Sequence, residues 1–143
     1  MATVIKISDA GAIGMHAAVY LAGNMDRVCP AGEMAAALQV SAAHLVKVLQ
    51  RLTRGGLVRT GRGPNGGYAL ARPADRVRLL DVLEAIEGRL APGSCLLKHK
   101  ACRGRPCILG GLVQAINRQT IEYLTSKTLG ALAGADRVKT KKK

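Results

Sequence analysis

The stretch Ser41-Ala-Ala-His-Leu-Val-Lys-Val-Leu-Gln-Arg-Leu-Thr-Arg-Gly-Gly-Leu-Val-Arg-Thr-Gly-Arg-Gly-Pro-Asn-Gly-Gly-Tyr68 decides how this chain folds. Its first half reads as a helix. Ser41 is a good N-cap, and Leu45, Val48, Leu49 and Leu52 fall at i, i+3, i+4 and i+7, which defines a buried stripe. Gly55-Gly56 ends the helix, because glycine tolerates the left-handed conformation that closes helices. Leu57-Val-Arg-Thr60 then reads as a short strand and Tyr68-Ala-Leu-Ala71 as its partner. Asn65-Gly66 between them is a strong hairpin signal, since the primed turn needs positive φ at both central residues. Upstream, Pro30 suits a first helical turn, and a helix runs through Glu33 to Leu38 before Val40 and Ser41 break its pattern. Two helices joined by a tight turn, followed by a hairpin, define a winged helix-turn-helix.

Outward from this centre, residues from Ser8 to Ala22 read as a first helix. Ser8 or Asp9 caps it, and Ile13, Ala17, Tyr20 and Leu21 lie on one face. Leu79, Val82, Leu83 and Ile86 mark a fourth helix, closed by Gly88. Residues 89–107 read as a loop holding three of the four cysteines. From Ile108 the chain becomes helical again, with Leu109, Leu112, Val113, Ile116, Tyr123 and Leu124 at three- and four-residue steps. A matching helix from a second copy is the simplest cover for that stripe.

The expected architecture is mainly α, a winged helix-turn-helix domain with a β-hairpin wing plus a long C-terminal dimerisation helix. Its parts are a DNA-binding unit over 1–88, a cysteine loop over 89–107, the dimerisation and closing helices over 108–134, and a disordered basic tail over 135–143.

Composition agrees. The 143 residues are 48% hydrophobic but only 2% aromatic, with no Trp and no Phe, so the core must be aliphatic. The formal net charge is +13. In the tail, Arg137, Lys139, Lys141, Lys142 and Lys143 outweigh Asp136 by four charges, which leaves +9 on the folded part. Charge of this size attracts phosphate polymers or anionic membranes. No apolar run reaches the roughly 18 residues of a spanning helix. Asp9 and His16 interrupt the Ala/Gly-rich N-terminus, so it reads as a mature helix rather than a signal peptide. A cytoplasmic protein is expected, its cysteines reduced thiols or metal ligands rather than disulfides.

From Met34 to Ala74 there is no acid, while Lys47, Arg51, Arg54, Arg59, Arg62 and Arg72 are all present. His44, Lys47 and Arg51 occupy i, i+3 and i+7 on the third helix, opposite the leucines, the face a helix-turn-helix lays in the major groove. Arg62 at the wing tip sits beside glycines that let backbone approach phosphate, and an arginine there suits a narrow minor groove. The expected DNA-binding set is Ser41, His44, Lys47, Arg51, Arg59, Arg62, Asn65 and Gly66. RNA fits less well, because no aromatics interleave with the charge.

Cys95-x6-Cys102-x4-Cys107 puts three thiols within thirteen residues, beside Lys98, His99, Lys100, Arg103 and Arg105. Nearby cations favour thiolates, the form that binds metal or reacts. The spacing is not the paired C-x2-C of structural zinc. Three thiolates suit one face of an iron–sulfur cluster with a fourth ligand from elsewhere. A three-thiol zinc site with His99 and a metal-free thiol switch are the alternatives. Cys29, before Pro30, reads as structural. An enzyme with a cysteine nucleophile would need an oriented base, and no acid lies between Glu87 and Glu122 to orient His99.

Taken together, Lys6-Ile-Ser-Asp9, Ser41-Ala-Ala-His-Leu-Val-Lys-Val-Leu49, Arg62-Gly-Pro-Asn-Gly-Gly-Tyr68, the three-cysteine loop and Thr128-Leu-Gly-Ala-Leu132 resemble the Rrf-two family of bacterial winged-helix regulators, the IscR and NsrR type. The resemblance implies a homodimer on a pseudo-palindromic promoter site in double-stranded DNA, usually as a repressor. It implies an iron–sulfur cluster, [2Fe-2S] or [4Fe-4S], held by Cys95, Cys102 and Cys107, and Asp9 matches the position from which a partner subunit completes the cluster in some nitric-oxide-sensing members. His44-Leu-Val-Lys47 is most similar to that branch. Gly110 stands where the cluster-biogenesis branch places a histidine, and Val46 where it has a glutamate.

Overall fold

The computed structural model describes residues 6–62, 66–90, 93, 95–97, 99 and 101–140. Helix α1 (Asp9–Ala22) starts at Ser8, whose hydroxyl accepts the Gly11 N–H at 3.0 Å. Its inward face is built from Gly11, Gly14, Ala17, Ala18, Leu21 and Ala22, while Ile13 and Tyr20 are only half-buried. Small residues on that face let α4 come close: a Cβ at Gly14 would run into the Ile86 side chain.

Helix α2 (Ala31–Leu38) and helix α3 (Ala42–Arg54) are joined through Gln39, which takes the left-handed conformation at φ 55°. Ser41 caps α3 by accepting the His44 N–H at 3.3 Å. Gly56, at φ +75°, turns the chain out of α3 and into the wing. The wing is an antiparallel pair, β1 (Val58–Gly61) and β2 (Gly67–Leu70), in register from Val58↔Leu70 to Gly61↔Gly67. Both strands sit within one residue of their expected bounds, and the turn carrying Asn65 lies outside the described residues. Cys29 adds a third rung, exchanging 2.8 Å backbone hydrogen bonds with Tyr68 in both directions. It is wholly buried, and burial pushes its thiol pKa up, so it serves as an inert filler.

Helix α4 (Leu79–Glu87) ends at Gly88, φ +87°. Helix α5 (Leu112–Ser126) starts four residues later than the sequence suggests. Gly110 lies at φ +56° and Cys107 to Gly110 closes a turn, so helical geometry cannot begin at Ile108. Helix α6 (Leu129–Thr140) packs back onto α1, burying Leu129 and Ala133. It departs from expectation by continuing to Thr140, six residues into the stretch expected to be a disordered tail, since Ala135-Asp-Arg-Val-Lys-Thr140 contains no glycine or proline.

The core is aliphatic, as composition demands. Leu21, Met34, Leu45, Leu49, Leu52, Leu83 and Leu129 are its largest fully buried members, with no buried polar side chain among the described residues. Each such leucine contributes about 1.5–3 kcal/mol of transfer free energy. Tyr20 donates to Glu33 at 3.0 Å and Arg27 grips the same carboxylate at 3.0 and 2.8 Å, tying α1 to α2 at the surface.

Candidate nucleic-acid interface and thiol-lined hollow

Helix α3 owes its orientation to its leucines. Leu45, Val48, Leu49 and Leu52 turn into the core, which forces His44, Lys47, Gln50, Arg51 and Arg54 outward. Ser41 is exposed at the N-terminus of the helix. Its hydroxyl is occupied by the cap, so its remaining capacity faces solvent. Arg59, exposed on β1, and Arg62, exposed just beyond it, bring charge from the wing, and Gly66, also exposed, immediately precedes β2. Asn65 lies outside the described residues.

The ion pairs among the described residues are Arg27–Glu33 and Arg78–Asp81, so Lys47, Arg59 and Arg62 keep their charge uncompensated. Arg51 is the exception on the reading helix. Its guanidinium reaches 3.5 Å from the Ile86 carbonyl, leaning back toward the C-terminus of α4. Gln50, three residues after Lys47 and exposed, extends the polar row instead. The same spacing that singled out Lys47 points to it.

The second feature is a hollow of about 990 Å³ between the cysteine loop and the start of α5. Cys95, Cys102 and Cys107 all line it, with His99, Arg103 and Arg105, over an apolar floor that includes Leu97, Ile108 and Val113. Two tight turns fold the loop around it. The Arg105 N–H bonds to the Cys102 carbonyl and the Gly110 N–H to the Cys107 carbonyl, each at 2.9 Å. Arg103 at φ 47° and Gly104 at φ +81° make the first turn possible. The left-handed backbone at Gly110 disfavours a histidine there.

All three thiols are free. They share this wall without closing on a point: among the described residues no three of His, Cys, Asp and Glu converge closely enough to enclose a metal ion. As a donor set they fit an iron–sulfur cluster, being soft, unpaired, partly exposed and flanked by cations rather than acids. Lys98 and Lys100 lie outside the described residues. Asp9 is exposed at the first turn of α1 and does not line the hollow. That turn is anchored next to the loop's origin, because Glu87 accepts from the Ser8 backbone N–H at 2.8 Å and from the Ser8 hydroxyl. Nothing in the sequence signals that link, which joins residues 79 apart.

A capped, basic helix set beside a basic two-stranded wing defines a winged-helix protein of the nucleic-acid-reading class. A family model described as an iron-dependent transcriptional regulator matches residues 7–135, and this chain belongs to that family, Rrf2. A helix-turn-helix-type transcriptional regulator of Neisseria meningitidis is 37% identical over 93 residues, covering 65% of this chain and 63% of that protein. The regulator IscR of Cereibacter sphaeroides is 38% identical over 88 residues, 58% of this chain and 56% of its own. Each of these alignments thus spans less than two thirds of the relative's length. Among solved structures, CymR of B. subtilis, a global cysteine regulator, superposes with a TM-score of 0.76 at 26% identity, covering 92% of this chain and 98% of that one. The relatives are transcriptional regulators rather than enzymes. No helix among the described residues is long and apolar enough to cross a membrane.

Proposed function

We propose that this chain is a cytoplasmic, homodimeric transcription regulator, acting as a repressor, whose grip on a pseudo-palindromic promoter site is set by an iron–sulfur cluster. The observation carrying the cluster half is that three free thiols from one loop line one hollow at the foot of α5. The DNA half rests on the uncompensated cations of α3 and the wing.

Lys47 and His44 meet base edges and phosphates in the major groove, Arg59 and Arg62 meet the flanking backbone or minor groove, and Ser41 and Gly66 let backbone come close. Arg51 joins them once released from the Ile86 carbonyl. Cys95, Cys102 and Cys107 would hold the cluster, and the partner subunit's Asp9 would complete it. When bound, that group supplies a centre reactive toward nitric oxide, oxygen or iron shortage. The chain's own contribution is spacing. Two recognition helices must sit about 34–36 Å apart to read successive major grooves, so small movements of the loop and α5 alter affinity strongly. A coupling of about 1–3 kcal/mol is enough to switch occupancy. The exposed apolar residues of α5, Leu112 and Tyr123, are the surface a second copy covers.

Anaerobic purification tests this directly. Brown protein that protects a promoter fragment, and loses both properties after nitric oxide or in Cys95→Ala, is the expected result. Colourless protein despite ample iron and sulfide, with DNA binding that responds to thiol oxidants instead, would replace the cluster with a metal-free thiol switch. The structural likeness to CymR, a cysteine regulator, makes that the rival to exclude.

A further inference from the structure

The polypeptide leaves the wing at Leu70 and reaches α4 through a 3-10 turn, Ala74–Arg76, and the fully buried Val77. This connector is held by a distant part of the chain. The Leu79 N–H donates to the Lys127 carbonyl at 2.9 Å and the Leu129 N–H to the Val77 carbonyl at 2.8 Å, an antiparallel bridge centred on Arg78 and Thr128. Lys127 and Thr128 are the elbow between α5 and α6. Val77 and Leu129, on either side of the bridge, have no exposed surface.

Two further contacts fasten the junction. The Thr128 hydroxyl caps α6 by accepting the Ala131 N–H at 3.2 Å. The Asp75 carboxylate sits against Gly130 in the first turn of α6. That seat exists only because residue 130 lacks a side chain, since a Cβ there would collide with Asp75 Oδ1.

Helix α5 reaches this junction from the thiol-lined hollow. It begins five residues after Cys107, and Asn117 donates to the Gly93 carbonyl of the cysteine loop at 2.5 Å. Its one buried residue is Leu124, one turn before the elbow. A helix of this length spans about 22 Å and is anchored at its far end, which makes it a lever with its fulcrum on the connector to the wing.

We propose that the Arg78–Thr128 junction is the grip by which α5 sets the wing, and that Asp75 and Gly130 are positioning residues for DNA binding although neither lies on the reading surface. The proposal rests on the DNA-binding reading of α3 and the wing, but not on any cluster. Movement of α5 about Leu124 pulls on Val77–Leu79 and, through the 3-10 turn, on β2 and its partner Arg59. Coupling here runs through contiguous hydrogen-bonded and packed backbone, a route open to direct test.

The test uses full-length, metal-free protein and backbone amide exchange at Val58–Gly61 and Gly67–Leu70, with α2 as internal reference. Gly130→Ala is expected to accelerate wing exchange and weaken promoter binding by at least about fivefold each, with α2 unchanged. Asp75→Ala should do the same, while Asp75→Asn, which keeps the shape, stays near wild type. On the Asp75→Ala background Gly130→Ala should add less than about twofold, because the displaced carboxylate is already gone. Should Gly130→Ala not fold, the Asp75 pair carries the test alone. Unchanged wing exchange in Asp75→Ala, or acceleration spread equally over α2, overturns the grip. A wild type that binds no DNA sinks the functional reading instead, and the exchange data still decide the junction.

Discussion

The reading head and the cysteine arm are built on opposite plans. In the head, α1 to α4 and the wing bury or half-bury every large apolar side chain of the described residues except Met25, and α6 returns to seal α1. In the arm, five of the six large exposed hydrophobics of the described residues appear: Leu96, Leu97, Ile108, Leu112 and Tyr123, with Ile108 94% exposed. A chain that buries Leu45 and Leu49 completely does not leave Ile108 in water for want of packing ability. The head is a finished object, whereas the arm leaves its large apolar side chains uncovered. That division suits a transcription regulator, whose reading surface must hold its form.

Leucine truncations at either end probe this contrast hardest. Leu49→Ala should lower unfolding stability in urea by about 2–5 kcal/mol, because it leaves a cavity in a closed core. Leu112→Ala should barely move that value and should instead weaken self-association measured by sedimentation. Equal losses at both positions would erase the distinction between head and arm. Next comes the base of the wing. A Cβ at Gly67 would meet the Cys29 backbone, so Gly67→Ala should destabilise the fold by about 1–3 kcal/mol in the same assay. Gly104→Ala in the arm meets nothing and carries only the strain of its positive φ.

On the reading surface, Lys47→Ala and Arg62→Ala should each weaken DNA binding by about 1 kcal/mol and lower the salt slope by about one, without changing stability. Arg51→Ala should cost less than Lys47→Ala, given its lean toward Ile86. Fluorescence anisotropy over a range of salt concentrations checks both.

The smallest effect lies at the start of α4. Hydrogen bonds from the Arg78 side chain hold the Asp81 carboxyl below the ordinary carboxylate range, and its acceptance of the Arg78 backbone N–H adds to this. A depressed carboxylate stabilises the fold above its unfolded pKa of about 4, and that contribution vanishes as pH falls through the lower folded value. Asp81→Asn should therefore cost up to about 1 kcal/mol at pH 7 and progressively less as pH falls below about 4, the half-exposed pair being screened by solvent.

The strong local signals were legible in the sequence. The leucine stripe of α3 and the glycine-bounded hairpin each combine periodicity, caps and turn chemistry, and they appear within a residue or so of expectation. Less legible was whatever depends on distant partners. Apart from Leu21, the buried face of α1 is glycine and alanine because α4 lies against it, a fact no periodicity of large residues reveals. Helix α6 is Ala- and Gly-rich, so nothing local marks Leu129 and Ala133 as core. The cysteines were visible as a cluster in sequence, and the two turns that fold them round one hollow depend on positive φ at Arg103, Gly104 and Gly110.

The rung between Cys29 and Tyr68 has a consequence for recognition. It staples the segment leading into α2 to the second wing strand, so the base of the hairpin is braced on the side away from β1. A promoter therefore encounters a hairpin already braced at its base, and association need not freeze a floppy flap against its neighbour. Preorganisation of this kind lowers the ordering cost of complex formation.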